Sequence, residues 1–118
     1  MASGALFVGW GEPVHGREKA ALEIFNTSME YWGRLQADGK IESFDVALLE
    51  PHGSDLGGFV LIRGTREQID TLQHDEEWRR LIAAVRLRVE GVGAVDAIVD
   101  ERLLAEIGYY QDAVSEIS

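Results

Sequence analysis

The feature that most constrains the fold is that the strand-like segments carry apolar residues on both of their faces. Residues 5–10, 59–63 and 92–99 each have apolar side chains at successive positions. Because neighbouring side chains of a strand point to opposite sides of a sheet, such a sheet needs an apolar cover on both sides. Helices of the same chain can cover one side. We therefore expect a second cover, most simply another copy of the chain related by a two-fold axis.

Helical patterns separate these strands. One covers residues 17–35 or slightly beyond, and Gly39 after it supplies the left-handed residue that commonly ends a helix. The next pattern, residues 65–86, starts with a capping box and breaks at His74 and Asp75, where the aspartate can cap a second helical stretch. A final helical stripe covers residues 101–117.

The order of these elements predicts an α+β fold. Residues 41–50 form the second strand by their alternation, and a turn-rich loop joins them to the strand at residues 59–63. A strand, a long helix, a hairpin, a helix and a strand make the ferredoxin-like βαββαβ arrangement. We expect a four-stranded antiparallel sheet in the order 4-1-3-2, with both crossover helices on one face. The single domain is predicted to span residues 1–118, including the C-terminal helix.

Composition and charge exclude several classes of function. The chain has 118 residues, no cysteine and a formal net charge of −10. Disulfides, thiolate metal sites and cysteine nucleophiles are therefore excluded, and nucleic acids and anionic lipid surfaces are repelled. No apolar run reaches the roughly 18–20 residues of a membrane span, and the first residues lack a signal-peptide pattern. We expect a cytoplasmic protein with neither a membrane nor a nucleic-acid partner.

The pattern as a whole resembles the dimeric α+β barrel superfamily. The element order, the two-faced strands and the broken helix with Glu76, Glu77 and Trp78 carry this resemblance over nearly the whole chain. Its members include antibiotic-biosynthesis monooxygenases, muconolactone isomerase-like enzymes, chlorite dismutase-like haem proteins and stress-responsive barrel proteins. Residues 9–18, Gly-Trp-Gly-Glu-Pro-Val-His-Gly-Arg-Glu, are similar to the start of a subgroup without an assigned activity. The resemblance implies a homodimer through the sheet face and a ligand pocket between helices and sheet.

Three histidines are the candidate catalytic residues. His15 follows the first strand and His52 follows the second, and because these strands run parallel, both loops lie at one end of the sheet. His74 lies at the helix break. Carboxylates expected near the first two are Glu12, Glu50 and Asp55. Converging histidines and carboxylates suit acid–base chemistry or a metal, but the HxxxH and HxH spacings are absent, so we expect no metal. The alternative is that these are solvated loop histidines.

Five aromatic residues are the candidates for lining the ligand pocket. They are Trp10, Tyr31, Trp32, Phe59 and Trp78. With His74 as a polar handle, they would make a mostly apolar site with few polar groups. The alternative is that aromatic residues at helical spacing are plain core. No histidine lies on the fourth strand or the last helix, where an axial haem ligand is expected, so we expect no cofactor.

The turn before the first helix offers a further possibility. Free backbone N–H groups after Gly16, together with Arg17, could bind an anion. Glu12 and Glu18 would repel that anion, and the spacing matches no phosphate-binding motif, which favours a structural turn.

The leading hypothesis is a homodimeric α+β barrel protein that binds a small apolar or aromatic molecule between helices and sheet. The alternative is a cofactor-independent oxygenase or isomerase for an aromatic or polyketide-like compound, with His74 or His15 as the proton-transfer group. This alternative rests on the analogy of fold.

Overall fold

The computed structural model of this chain describes residues 4–118, so residues 1–3 of the predicted domain lie outside the described part. Four strands and four helices follow one another in the predicted order. They are β1 (Gly4–Trp10), α1 (Glu18–Ala37), β2 (Ser43–Leu48), β3 (Gly58–Gly64), α2 (Arg66–His74), α3 (Glu76–Arg86), β4 (Gly93–Ala97) and α4 (Glu101–Ile117). The helical pattern predicted at residues 65–86 is thus the pair α2 and α3. Among residues 4–118, no helix combines the length and hydropathy needed to cross a bilayer.

The four strands form one antiparallel sheet in the order β2-β3-β1-β4, which confirms the predicted order 4-1-3-2. In register, Phe7 of β1 lies opposite Leu61 of β3 on one side and Val95 of β4 on the other. β1 and β2 are both antiparallel to β3, so they run parallel to each other and end at the same edge of the sheet. The chain therefore has the predicted ferredoxin-like fold.

The hydrophobic core lies between the sheet and helices α1, α2 and α3. The side chains of Leu6, Val60 and Ile62 are fully buried there, and each such burial contributes about 1.5–3 kcal/mol. The core also contains Val8, Tyr31, Trp32, Leu35, Ile41, Ile69, Leu72 and Trp78. The three helices thus cover one face of the sheet, as predicted.

The other face of the sheet carries its own apolar side chains. Phe7 alternates with the buried Leu6 and Val8, and therefore points away from the core. Its ring stacks on that of Phe59 with centroids 5.3 Å apart, and Val95 beside it is 60% exposed. We call this surface, made of Phe7, Phe59, Leu61 and Val95, the open face.

The helix ends can be compared with the capping residues that the sequence predicts. Thr65 Oγ1 accepts a hydrogen bond from the Gln68 N–H at 3.1 Å, and Gln68 Oε1 accepts from the Thr65 N–H at 2.8 Å, which confirms the capping box. Gly39 has the predicted left-handed conformation after α1, with φ +72°. The prediction for Asp75 was wrong in one respect. It stands at the N-cap position of α3, but its side chain caps nothing and instead accepts from the Tyr31 hydroxyl at 3.5 Å.

Two strands are shorter than their sequence patterns suggested. β2 covers Ser43–Leu48 within the predicted residues 41–50, and β4 covers Gly93–Ala97 within the predicted residues 92–99. Both are edge strands of the sheet, so each has a single neighbour and ends where the pairing with that neighbour ends. The apolar pattern of the sequence continues past the ends of both strands, so it could not indicate where they end.

Candidate functional site

A cavity of about 570 Å³ lies at the end of the sheet where β1 and β2 end. Its walls are the last residues of β1, one side of α1 between residues 21 and 32, the face of α3 toward the sheet, and residues 48–57 from the end of β2 into the loop before β3. The volume falls in the range of about 300–1,000 Å³ that is usual for sites of small organic ligands. The cavity opens to solvent beside Leu22 and Leu48, whose side chains are 68% and 67% exposed.

Aromatic and aliphatic side chains make most of the cavity wall. Trp10 and Phe25 meet edge to face, with centroids 6.2 Å apart and an interplanar angle of 69°. Trp10 lies opposite Gly58 in the sheet, and a Cβ atom at position 58 would lie 2.9 Å from Trp10 Nε1. Glycine at this position therefore leaves the room in which the indole ring sits.

Backbone hydrogen bonds hold the loops around the cavity together. The Gly57 N–H donates to the carbonyl of Trp10 at 2.7 Å, and the Gly11 N–H donates to the carbonyl of Glu90 at 2.7 Å. A Cβ atom at position 11 would lie 2.8 Å from the carbonyl oxygen of Asp55, so three backbone segments meet where only glycine fits. These contacts place the loop between β2 and β3 beside the end of β1.

The charged groups of the cavity are acidic. Glu12 and Glu50 belong to the lining, and no lysine or arginine lines the cavity in the described part of the chain. Arg17, the basic residue considered for an anion site, has another partner, because its guanidinium donates a hydrogen bond to the carbonyl of Leu87. The Gly16 N–H donates to Glu18 at 3.2 Å, which accounts for this segment as a structural turn.

Of the three histidines, His52 is the one that lines the cavity. Its Nε2 lies 2.8 Å from the carbonyl oxygen of Leu56. A carbonyl only accepts, so Nε2 carries the hydrogen and Nδ1 of the neutral ring is left as an acceptor. His15 is fully exposed, 4.0 Å from Glu18, and His74 at the end of α2 has its Nδ1 2.8 Å from the carbonyl oxygen of Asp70.

The three histidines therefore do not converge. Within residues 4–118, no three histidine and carboxylate side chains come together as metal ligands. The expected neighbours of His52 are partly present, because Glu12 and Glu50 line the same cavity.

Two polar groups lie deeper in the lining. Ser28 is buried, and its hydroxyl donates to the carbonyl of Ile24 at 2.7 Å, so its hydrogen is already used. Trp32 is 4% exposed, and its indole N–H has no hydrogen-bond partner among the described residues. A buried donor without a partner costs about 1–3 kcal/mol. Trp32 therefore lines the cavity with part of its ring, while its unpartnered indole nitrogen lies beneath the cavity surface.

The five predicted pocket residues separate into three locations. Trp10 and Trp32 line the cavity. Tyr31 and Trp78 do not line it but belong to the core, where their burial is explained by packing between helices and sheet. Phe59 lies on the open face against Phe7, on the opposite side of the sheet.

Tyr31 takes part in a polar cluster that joins α1 to the α2–α3 break. Its hydroxyl donates to Asp75 at 3.5 Å, and the Arg34 guanidinium lies 5.4 Å from its ring centroid. Arg34 in turn donates to Glu77 at 2.8 Å. Burial raises the pKa of the Tyr31 hydroxyl well above its usual value, and the charges of Asp75 and Glu77 raise it further.

Several lining residues were not among the candidates from the sequence. Leu22 and Phe25 belong to an apolar stripe of α1, and Leu81, Ile82 and Val85 belong to the apolar side of α3. The stripe of α1 was the available signal, since apolar residues at helical spacing usually face the core. The first turns of α1 instead border the cavity and its mouth, which leaves Leu22 largely exposed.

These features define an α+β protein of the ferredoxin-like fold with an apolar cavity between its helix layer and its sheet. Neither a protein-family model nor a curated protein matches the sequence. Solved structures do match the fold, at low sequence identity, and they are of the kind that the sequence resemblance predicted.

Three of these structures illustrate the similarity. A dimeric ferredoxin-like protein of unknown function from Bacteroides fragilis has a TM-score of 0.61 and 13% identity, over 82% of this chain and 97% of its own. A second such protein, from Thermobifida fusca, has a TM-score of 0.60 and 11% identity, over 81% of this chain and 91% of its own. SnoaB from Streptomyces nogalater, a cofactor-independent oxygenase, has a TM-score of 0.54 and 14% identity, over 84% of this chain and 95% of its own.

Proposed function

We propose that this protein forms a homodimer through its open face and binds a small, uncharged and largely apolar molecule in its cavity. The observation that carries the ligand proposal is the cavity itself. It has a volume of about 570 Å³, an aromatic and aliphatic lining, and two carboxylates but no cationic side chain among its described lining residues.

The charge of the ligand follows from this lining. Glu12 and Glu50 repel an anion, as does the net charge of −10 of the whole chain. Both carboxylates are exposed to solvent, so a cation in the apolar part of the cavity would lose its hydration without forming an ion pair, and burying an unpaired charge is costly. An uncharged ligand avoids both costs.

The hydrogen-bonding character of the ligand follows from Trp32. Its indole N–H is buried without a partner, and Trp32 belongs to the cavity lining. A small movement of the side chains that cover this nitrogen would let a carbonyl or ether oxygen of the ligand accept from it, and a neutral hydrogen bond of this kind contributes about 1 kcal/mol. We therefore infer that the ligand is an aromatic or alicyclic molecule with an oxygen acceptor.

The homodimer is supported by the open face. Phe7, Phe59 and Leu61 are only partly buried and Val95 is 60% exposed, on a sheet face that the helix layer does not reach. A contiguous apolar patch of this kind usually marks an interface. The proteins from Bacteroides fragilis and Thermobifida fusca, which share the fold, are described as dimeric.

The ligand proposal is tested with two fluorescent probes that differ by one sulfonate group. N-phenylnaphthylamine is neutral, and anilinonaphthalenesulfonate has the same rings with an added sulfonate. We expect saturable fluorescence enhancement with the neutral probe and binding at least about tenfold weaker with the sulfonate, a difference of about 1.4 kcal/mol. Equal affinities would contradict the charge argument, and no binding of the neutral probe would contradict the proposed site.

A cavity-filling variant locates the probe. Ala21 lines the cavity on α1, and Ala21→Phe places a ring in the space that the ligand would use. Ala83 is exposed on α3 and does not line the cavity, so Ala83→Phe is the matched control. We expect the first variant to lose binding of N-phenylnaphthylamine and the control to keep it, with circular dichroism showing both folded. Equal binding by both variants would place the probe elsewhere.

A further pair of ligands tests the donor of Trp32. Anthrone is a neutral aromatic ketone with an oxygen acceptor, whereas N-phenylnaphthylamine offers no comparable acceptor. We expect Trp32→Phe to weaken anthrone binding about fivefold, the equivalent of about 1 kcal/mol, and to leave the amine probe nearly unaffected. Equal effects on both ligands would assign Trp32 a packing role only.

One observation favours a second candidate function, a cofactor-independent oxygenase. His52 lines the cavity with Nδ1 left as an acceptor, which is the state of a general base. SnoaB, which shares the fold, is described as a cofactor-independent oxygenase. In this mechanism His52 would take a proton from the methylene group of anthrone, and molecular oxygen would oxidise the resulting carbanion to anthraquinone, with water as the other product.

Oxygen uptake with anthrone tests this second candidate. We expect His52→Gln to lower the rate of anthraquinone formation at least about tenfold, within the contribution usual for a general base, while the binding of N-phenylnaphthylamine persists. His15→Gln is the control, because His15 is exposed and lies away from the cavity lining. A wild-type rate no higher than that in buffer would refute catalysis of this reaction and leave the binding proposal intact.

A further inference from the structure

Helix α4 stands clear of the domain from which it extends. Its 17 residues run from Glu101 to Ile117, and no Cα atom of α4 lies within 8 Å of a Cα atom in another described helix or strand. None of its side chains is buried. The chain that carries α4 therefore buries none of its side chains.

The helix nevertheless has an apolar side. Five apolar residues recur at helical spacing, and we call them the α4 stripe. They are Leu103, Ile107, Tyr110, Val114 and Ile117. An isolated helix of this length is marginally stable in water, and no salt bridge between described residues supports α4 from within. The α4 stripe thus needs an apolar partner.

The charged side chains of α4 argue against an anionic lipid surface as the partner of the α4 stripe. Away from the α4 stripe, the helix carries four carboxylates and one arginine. Helices that lie on anionic lipid surfaces have the opposite, basic character. A second copy of this chain fits better, because its open face supplies the missing apolar surface.

The α4 stripe is also continuous with the open face along the chain. Val95 of the edge strand β4 lies on the open face, and Ile98, just beyond the strand, is 42% exposed. Asp100, with φ +56°, then turns the chain into α4 and pairs with Arg63 of β3 at 3.8 Å. This ion pair ties the start of α4 to the sheet that carries the proposed interface.

The open face alone is smaller than the surface that each partner of a stable dimer commonly buries. Strands about 4.8 Å apart that rise about 3.3 Å per residue give this four-stranded sheet a face of roughly 400 Å² in projection. A stable dimer commonly buries about 800 Å² per partner. One side of α4, about 26 Å long and about 10 Å wide, adds roughly 260 Å². The open face and the α4 stripe together approach what a stable dimer needs.

We infer that α4 is an exchange arm, whose α4 stripe packs on the second subunit of the homodimer and extends the interface formed by the two open faces. This inference rests on the proposed homodimer.

Hydrogen exchange of the full chain tests the arm. Mass spectrometry is used at two protein concentrations, one above and one below the dissociation constant found by sedimentation equilibrium. We expect amides of α4 to exchange at least about tenfold more slowly in the dimer, because an unpacked helix of this length frays readily. The amides of α1, which is packed in each subunit, should exchange at the same rate in both samples.

A pair of variants tests the α4 stripe itself. Ile107→Glu places a charge on the stripe, and Ala105→Glu places the same charge on the opposite side of the helix. Neither position packs on its own domain, so both variants should fold. We expect Ile107→Glu to weaken the dimer at least about tenfold and Ala105→Glu to change its dissociation constant less than about twofold.

Four results would overturn the inference. Equally fast exchange of α4 in both samples would show an arm without a partner, and equally slow exchange would show that α4 packs on its own domain. A dimer weakened by a change on the open face but not by Ile107→Glu would keep the proposed homodimer and remove the arm. A chain that stays monomeric at all concentrations would remove the homodimer and the arm together.

Discussion

Replacing Val95 by alanine tests the proposed contribution of the open face to dimerisation. Val95 lies in the middle of β4, opposite Phe7, and 60% of its surface is exposed in the single chain. It makes no contribution to the buried core, so the substitution removes interface surface and little else. Alanine retains the backbone pairing with β1.

The expected magnitude follows from that exposure. Valine to alanine removes two methyl groups, whose complete burial is worth about 1.6 kcal/mol. The part exposed in the single chain accounts for about 1 kcal/mol of this, and a two-fold interface contains the residue twice. The dimer should therefore lose about 2 kcal/mol, which raises its dissociation constant roughly 30-fold.

Sedimentation equilibrium measures this constant, and a matched control accompanies the variant. Leu87, just after α3, is 61% exposed and lies outside both the open face and the cavity lining. Leu87→Ala removes at least as much apolar surface and should leave the dissociation constant unchanged. Thermal unfolding followed by circular dichroism confirms that both variants keep the fold.

Two results would refute the reasoning about the open face. A dissociation constant for Val95→Ala within about twofold of the wild type would mean that the face is not buried between subunits. An equal weakening by Leu87→Ala would mean that loss of exposed apolar surface anywhere affects association.

Three further predictions concern stability. Burial raises the folded-state pKa of Tyr31, so the contribution of its neutral hydroxyl to folding stability is fully present below the unfolded pKa of about 10 and is lost as the pH rises above it. Tyr31→Phe should therefore reduce the loss of unfolding free energy at alkaline pH, measured by urea titrations. Thr65→Ala removes half of a capping box and should lower the free energy of unfolding by about 1 kcal/mol. Ile62→Val removes one methyl group at a fully buried site and should lower it by about 1 kcal/mol, seen as a lower Tm.

Exposed residues provide the controls for these three predictions. Tyr109→Phe should leave the alkaline loss of stability unchanged, since Tyr109 is 65% exposed. Thr71→Ala changes an exposed threonine within α2 that caps nothing, and Leu87→Val removes one methylene group from a side chain that is 61% exposed and lies outside the α4 stripe. A control that shifts as far as its partner variant would contradict the assigned role of the buried or capping group.

The fold could be predicted in most of its parts because the signals for it are local. Short apolar runs, and alternation over residues 41–50, marked the strands, and the capping box at residues 65–68 marked the start of α2. The order of elements then determined the sheet order, since few topologies connect such elements without a left-handed crossover. The ends of the edge strands could not be predicted, because they depend on the reach of a neighbour elsewhere in the chain.

The candidate site was predictable only in part. The aromatic residues were found by type, but nothing in their spacing separated Trp10 and Trp32, which line the cavity, from Tyr31 and Trp78 in the core. Phe59 lies one position before the buried Val60 in β3, so its side chain points to the other face of the sheet. The same limit applies to His52, because the sequence around a loop histidine does not indicate whether the side chain lines a cavity.

By itself, the sequence determined which side of each element is apolar, and hence that this sheet has two faces to cover. It also determined the acidic character of the chain. Only the tertiary structure decided how far apart those apolar surfaces lie: close enough for a core around Leu6 and Val60, open enough for a cavity beside Trp10, and without contact for α4. The physical reason is that periodicity records the direction of a side chain, whereas the space in front of it is set by segments distant in the chain.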